Sequence, residues 1–101
     1  MENSAYSLKD KIALVTGGGK GIGKAISLRL SQAGATVIIA SRKLETLEKA
    51  AAEIAADTGG KVVALECHAG KKESVDALAK KVLEDFGRID VLVNNAATNQ
   101  I

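Results

Sequence analysis

Proline is absent from this 101-residue sequence, and the aromatic residues are limited to one Phe and one Tyr. The single cysteine, Cys67, rules out an internal disulfide, which argues against a disulfide-built scaffold and favours a reducing compartment. The first ten residues show no secretory pattern, and no apolar run approaches the eighteen or so residues of a membrane span. We therefore predict a cytoplasmic protein.

An excess of charge of one sign is also lacking. The 14 basic and 12 acidic residues are spread along the chain and give a net charge of +2. Such a balance provides no broad basic surface for nucleic acid or for anionic lipid. We predict neither nucleic acid nor a membrane as a partner, so any basic site must be local.

Four short apolar segments are rich in β-branched residues and mostly do not alternate with polar ones, which predicts strands buried on both faces. They are Ile12–Val15, Val37–Ala40, Val62–Leu65 and Val91–Val93. Three intervening segments have helical spacing. Their apolar faces are Ile22, Ile26, Leu30 and Ala33, then Leu44, Leu47, Ala51 and Ile54, then Val75, Leu78, Val82 and Phe86.

The alternation of strands and helices predicts one α/β domain over residues 1–101. Each crossover is long enough to join parallel strands in the usual right-handed sense. For a doubly wound sheet we expect the strand order 3-2-1-4, with the first two helices on one face and the third on the other.

The first strand runs into a glycine-rich turn, Thr16 to Gly23, which reads T-G-G-G-K-G-I-G. Glycine there permits positive φ and lets a diphosphate approach the main chain, while the following helix start offers free N–H groups. We predict cofactor contacts at Gly17, Gly19, Lys20, Gly21, Ile22 and Gly23. Close packing alone could also explain such a turn.

A second motif, Asn94-Asn95-Ala96-Ala97, ends the fourth strand. It resembles the N-N-A-G element of the classical short-chain dehydrogenase/reductase family, with alanine at the last position. The T-G-x-x-x-G-I-G turn resembles the cofactor loop of the same family. The resemblance covers Leu8 to Asn99 and implies a Rossmann-type fold that binds a nicotinamide dinucleotide. It also implies that the segment Asn94 to Ala97 packs against the first strand and lines the nicotinamide side of the cleft, with Asn94 and Ala96 as cofactor contacts.

The end of the second strand predicts which dinucleotide is bound. NAD-specific relatives carry an acidic residue there, whereas this chain has Ser41 followed by Arg42. The small hydroxyl leaves room for a 2′-phosphate, and a guanidinium can bind phosphate oxygens in a fork. Lys20 and Lys43 add nearby positive charge. Arg42 and Lys43 could instead be part of a solvated helix start, but basic residues there oppose the helix dipole, which favours a functional role. We expect NADP(H) rather than NAD(H).

His68 follows the third strand, where members of the family commonly have an aspartate that contacts adenine. An imidazole could hydrogen-bond to or stack on adenine, but one histidine beside Cys67 is too few ligands for a metal site. The run from Cys67 to Lys71 resembles one branch of NADP-dependent carbonyl reductases, which favours a carbonyl substrate.

A P-loop is the competing interpretation of the glycine turn, because Gly18 and Gly23 stand five apart with Lys24 next. Ala25 follows, so the hydroxyl that would hold magnesium is missing. The fourth strand also ends in asparagines where a metal-holding aspartate is expected. We therefore consider this alternative weak.

No catalytic residue can be assigned in this sequence. The family uses a serine, a tyrosine and a lysine four residues after the tyrosine, whereas Tyr6 has Asp10 at that distance. We expect the cofactor-binding half of an oxidoreductase that acts on a carbonyl or alcohol in a longer form. The alternative is a non-catalytic nucleotide-binding or interaction module that self-associates through the exposed edge of the fourth strand, Val91–Val93.

Overall fold

A computed structural model describes residues 7–68 and 70–95 and confirms the predicted alternation. Its elements are β1 (Ile12–Thr16), α1 (Gly21–Gln32), β2 (Thr36–Ser41), α2 (Leu44–Thr58), β3 (Val62–Glu66), α3 (Lys72–Phe86) and β4 (Val91–Asn94). Each strand runs one residue further at its carboxyl end than predicted. Among the described helices, none is long and apolar enough to span a membrane.

The four strands form one parallel sheet in the order β3-β2-β1-β4, as predicted. The register aligns Thr16 at the end of β1 with Ala40 on β2 and Asn94 on β4. The carboxyl ends of these three strands therefore meet at one edge. In open α/β sheets, ligands bind at that edge, where the strand order reverses.

Two apolar layers hold the helices against the sheet and confirm their predicted sides. One layer joins residues of β1 and β2 to α2, with Leu47 fully buried and Leu30 of α1 packed against it. The other joins the opposite face of the same strands to α3 through Leu78 and Val82. Because β1 and β2 lie at the centre of both layers, they fix the sheet edge that carries the glycine turn.

Helix α1 differs from the predicted packing. Its buried residues are Gly23, Ser27 and Ser31, whereas Ile22 of the predicted apolar face is 72% exposed. Small side chains at this spacing let the helix lie close to the sheet. The Ser27 hydroxyl donates to the Gly23 carbonyl at 2.8 Å, so its burial leaves no unpaired polar group.

Candidate dinucleotide-binding site

The shape of the glycine turn requires glycine at Gly17 and at Gly23 for different reasons. Gly17 has φ of +70°, in the left-handed region, and its N–H donates to the Ala40 carbonyl at 2.7 Å. Gly23 has an ordinary φ, but a β-carbon there would lie 2.0 Å from the Gly17 carbonyl oxygen. The turn thus folds back on the first residues of α1 and brings the start of that helix to the sheet edge.

The end of β4 is tied to this turn. The Thr16 hydroxyl donates to the Asn94 side-chain oxygen at 3.1 Å and to the Val93 carbonyl at 3.4 Å. The Asn95 amide donates to the Gly17 carbonyl at 3.3 Å. Asn94 therefore packs against the end of β1, as the family resemblance implies, and Asn95 supports the turn directly.

A cleft of about 540 Å³ opens above the carboxyl ends of β1 and β2. The structure brings eight of the twelve predicted site residues around it: Gly17, Gly19, Lys20, Gly21, Ile22, Ser41, Arg42 and Lys43. Thr46 and Asn95 also line the cleft. Asn95 belongs to the segment Asn94 to Ala97 that the family resemblance placed in the cleft, whereas nothing in the sequence marked Thr46.

The other four predicted residues have different positions. Gly23 lies beneath the turn, and Asn94 holds β1, so neither lines the cleft. His68 is also absent from the lining, and its main-chain N–H donates to the Ser74 hydroxyl at 2.9 Å. Ala96 lies outside the described residues.

The cleft is electrostatically one-sided. Its lining contains three cations, Lys20, Arg42 and Lys43, and no carboxylate. Within residues 7–68 and 70–95, none of the three forms an ion pair. Helices α1 and α2 both begin here without a side-chain cap, so their first N–H groups also face the cleft region with partial positive charge. This arrangement suits a ligand with several anionic groups.

Lys24, the residue on which the P-loop interpretation depends, is turned away from this cleft. Its ammonium pairs with Glu53 of α2, and that hydrogen bond and charge hold the pKa of the Glu53 carboxyl below its usual value. Lys24 instead lines a neighbouring groove between α1 and α2. The described part of the chain also contains no group of three or more His, Cys, Asp and Glu residues placed to hold a metal ion. The lysine that a P-loop interpretation requires is thus held outside the cleft by Glu53.

The parallel sheet, the glycine turn at its switch point and the cationic cleft define a Rossmann-type nucleotide-binding domain. The family model of the short chain dehydrogenases matches residues 11–101. The chain belongs to this family, which confirms the resemblance seen in its motifs.

Individual proteins similar to this chain also support its place in the family. The chain is 41% identical over 92 residues to the short chain dehydrogenase/reductase astE of Aspergillus oryzae, a match that covers 91% of this chain and 35% of that protein. It is similar to a metagenomic short-chain oxidoreductase in complex with NADP, at 40% identity and a TM-score of 0.83 over 87% of this chain and 39% of that one. It also resembles L-sorbose reductase of Gluconobacter frateurii, complexed with NADPH and L-sorbose, at 32% identity and a TM-score of 0.84 over 89% and 34% of the two chains. The chain thus spans little more than a third of the length of these relatives.

Proposed function

We propose that this chain binds NADP(H) in the cleft and forms the cofactor-binding part of an oxidoreductase that acts on a carbonyl or alcohol substrate. The observation that carries the proposal is a cleft lined by three cations, Lys20, Arg42 and Lys43, which form no ion pair within the described residues, and by no carboxylate. When bound, the nicotinamide would supply or accept the hydride. The residues of this chain would bind and orient the cofactor.

The glycine turn fits the diphosphate bridge of such a cofactor. The close contact between Gly23 and the Gly17 carbonyl sets the main chain of the turn directly against the first turn of α1. N–H groups at a helix start can donate to phosphate oxygens, and the bare glycines let those oxygens approach. Thr16 and Asn95 would hold the turn in this shape from below.

The end of β2 fits the 2′-phosphate that distinguishes NADP from NAD. Ser41 is small and uncharged, so it leaves space where a carboxylate would repel the phosphate. Arg42 can bind two phosphate oxygens at once, and Lys20 approaches from the glycine turn. NADP and NADPH in two structural relatives support this choice.

The proposal assigns no catalytic residue to this chain. Hydride transfer to a carbonyl develops negative charge on its oxygen, and a proton donor must neutralise that charge. In the family, serine, tyrosine and lysine provide this chemistry, and we expect them in a longer form. Contacts of His68 with adenine and of Ala96 with nicotinamide remain predictions.

Calorimetric titration with NADPH and NADH tests the proposal. We expect tighter binding of NADPH and a loss of affinity of about 50-fold or more in Arg42→Asp, because a charge-assisted contact is replaced by repulsion. Arg29→Asp is the matched control, since it changes net charge equally but lies outside the cleft lining. Equal binding of the two cofactors, with no effect of Arg42→Asp, would contradict the proposal.

A second candidate function is an interaction module that self-associates through β4. Among the described residues, β4 pairs only with β1, and Leu92 on it is 64% exposed. An unpaired strand edge with an apolar side chain can add a strand from another chain. Sedimentation analysis should then show a dimer that Leu92→Lys dissociates. A monomer at all concentrations would exclude this function.

A further inference from the structure

Helix α2 carries a hydroxyl that the fold does not use. The three helices contain five Ser and Thr residues: Ser27, Ser31, Thr46, Thr58 and Ser74. Four of them form hydrogen bonds, two to carbonyls one turn earlier and the others to a hydroxyl, a main-chain N–H or a thiol. Thr46 is the exception within the described ranges, since its hydroxyl has no hydrogen-bond partner there.

The position of Thr46 in α2 explains why its hydroxyl is unused. A threonine within a helix commonly donates to the carbonyl four residues earlier, as Thr58 does to Ile54. For Thr46, that residue is Arg42, which precedes the start of α2 at Leu44. The usual helical acceptor is therefore missing, and the hydroxyl is available to a ligand.

Thr46 also faces the cleft beside its cations. It lines the cleft with Lys20 and Arg42. Its methyl carbon lies 3.6 Å from the position that a β-carbon on Gly19 would occupy, so the first turn of α2 lies against the glycine turn. Lys20 directly follows Gly19, and Arg42 lies four residues before Thr46. The two cations therefore border the same part of the cleft as Thr46, Lys20 from the glycine turn and Arg42 from the start of α2.

We propose that Thr46 is a specificity-determining residue whose hydroxyl donates a hydrogen bond to the 2′-phosphate of NADP(H). This inference rests on the proposed function of the cleft. A phosphate monoester presents three acceptor oxygens. The Arg42 guanidinium can donate to two of these oxygens, and the Thr46 hydroxyl can donate to the third. NAD(H) lacks this phosphate and would not accept the bond from Thr46.

Two substitutions separate the contribution of the Thr46 hydroxyl to binding from the contribution of its methyl group to packing. Thr46→Val removes the oxygen but keeps a methyl group against Gly19, whereas Thr46→Ser keeps the oxygen and removes the methyl group. Titration with 2′,5′-ADP and with 5′-AMP then isolates the phosphate contact. We expect Thr46→Val to bind 2′,5′-ADP about tenfold more weakly with 5′-AMP affinity unchanged, and Thr46→Ser to stay within about twofold of the parent affinity for both.

The outcomes distinguish this inference from the proposed function. If Thr46→Val binds 2′,5′-ADP as the parent does while Arg42→Asp does not, the inference is wrong and the proposed function stands. If Thr46→Val and Thr46→Ser lose affinity equally, packing rather than the hydroxyl is responsible, and the inference is again wrong. If the parent chain does not prefer 2′,5′-ADP to 5′-AMP, both the inference and the NADP assignment fail.

Discussion

Directly before β4, Arg88 and Asp90 form an ion pair, whereas at the opposite edge of the sheet the three cations that follow β1 and β2 form none within the described residues. Arg88 contacts the Asp90 carboxylate at 2.8 Å, and that carboxylate also accepts from the Ile12 N–H at 2.8 Å. The hydrogen bonds from Arg88 and Ile12 lower the pKa of Asp90. Asp90 thereby links the start of β1 to the start of β4, and Arg88 pairs with the carboxylate that forms this link.

The carboxyl end has the opposite character. Hydrogen bonds from Thr16 and Asn95 join the strands, but Lys20, Arg42 and Lys43 contribute no ion pair within the described residues. Like charges beside helix starts oppose folding slightly, and no carboxylate in the cleft lining offsets them, so a ligand explains their presence better than stability does. Roughly 13 Å of strand separates the two ends, which makes this division of roles testable.

The largest effect is expected from Gly23→Ala. The added carbon would overlap the Gly17 carbonyl oxygen, so the turn or α1 must shift. We expect a loss of about 3 kcal/mol in the free energy of unfolding, together with loss of NADPH binding. Denaturant titration and calorimetry measure the two effects. Gly70→Ala is the matched control, because an added carbon there meets nothing within 4 Å. Wild-type behaviour of Gly23→Ala would refute the close fit of the turn.

A smaller effect is expected from Asp90→Asn at the other end. Because the pKa of Asp90 is lowered by folding, its charge stabilises the protein above its ordinary pKa of 3.8, and that stabilisation is lost as pH falls through the folded-state pKa. The variant should be less stable at pH 7 and should lose less stability in acid. Its affinity for NADPH should be unchanged.

Glu53→Gln provides the comparison for Asp90→Asn. It also removes a carboxylate whose pKa is lowered, but the Glu53 side chain is 48% exposed against 20% for Asp90. In the part of the chain that the structure describes, the Glu53 carboxylate accepts no hydrogen bond from a main-chain N–H. Exposed ion pairs contribute little. Thermal unfolding between pH 2 and pH 7 should therefore show a larger loss of stability at pH 7 for Asp90→Asn than for Glu53→Gln. An equal loss in both would show that the contact of Asp90 with the Ile12 N–H has no special role.

The order of the strands and the sides of the helices could be predicted because they follow from periodicity and chain connectivity. The buried face of α1 could not. Its apolar residues and its small residues each form a stripe at helical spacing, and Ser27 and Ser31 can be buried because Gly23 and Thr58 satisfy their hydroxyls. The contact of Ser31 depends on the position of α2, which periodicity does not give.

The glycine turn and the end of β2 were predicted because each motif is continuous in sequence. Thr46 was missed because its place in the cleft lining depends on how α2 lies against Gly19. His68 was placed by correspondence with the family, and the structure leaves it outside the cleft lining. Residues that reach a site through tertiary packing leave no local signal.

The smallest effect concerns Lys43, which lies at the start of α2 without a capping hydrogen bond. Serine is a favourable residue at this position, so Lys43→Ser should raise the free energy of unfolding by about 0.5–1 kcal/mol. The same change removes a cation from the cleft and should weaken NADPH binding by about threefold. Lys71 stands at the equivalent position of α3, also uncapped, but outside the cleft lining. Lys71→Ser should therefore give the gain in stability without the loss of affinity. If both variants weaken NADPH binding alike, the effect is one of general charge, and the contrast between the paired and the unpaired ends of the sheet loses its functional meaning.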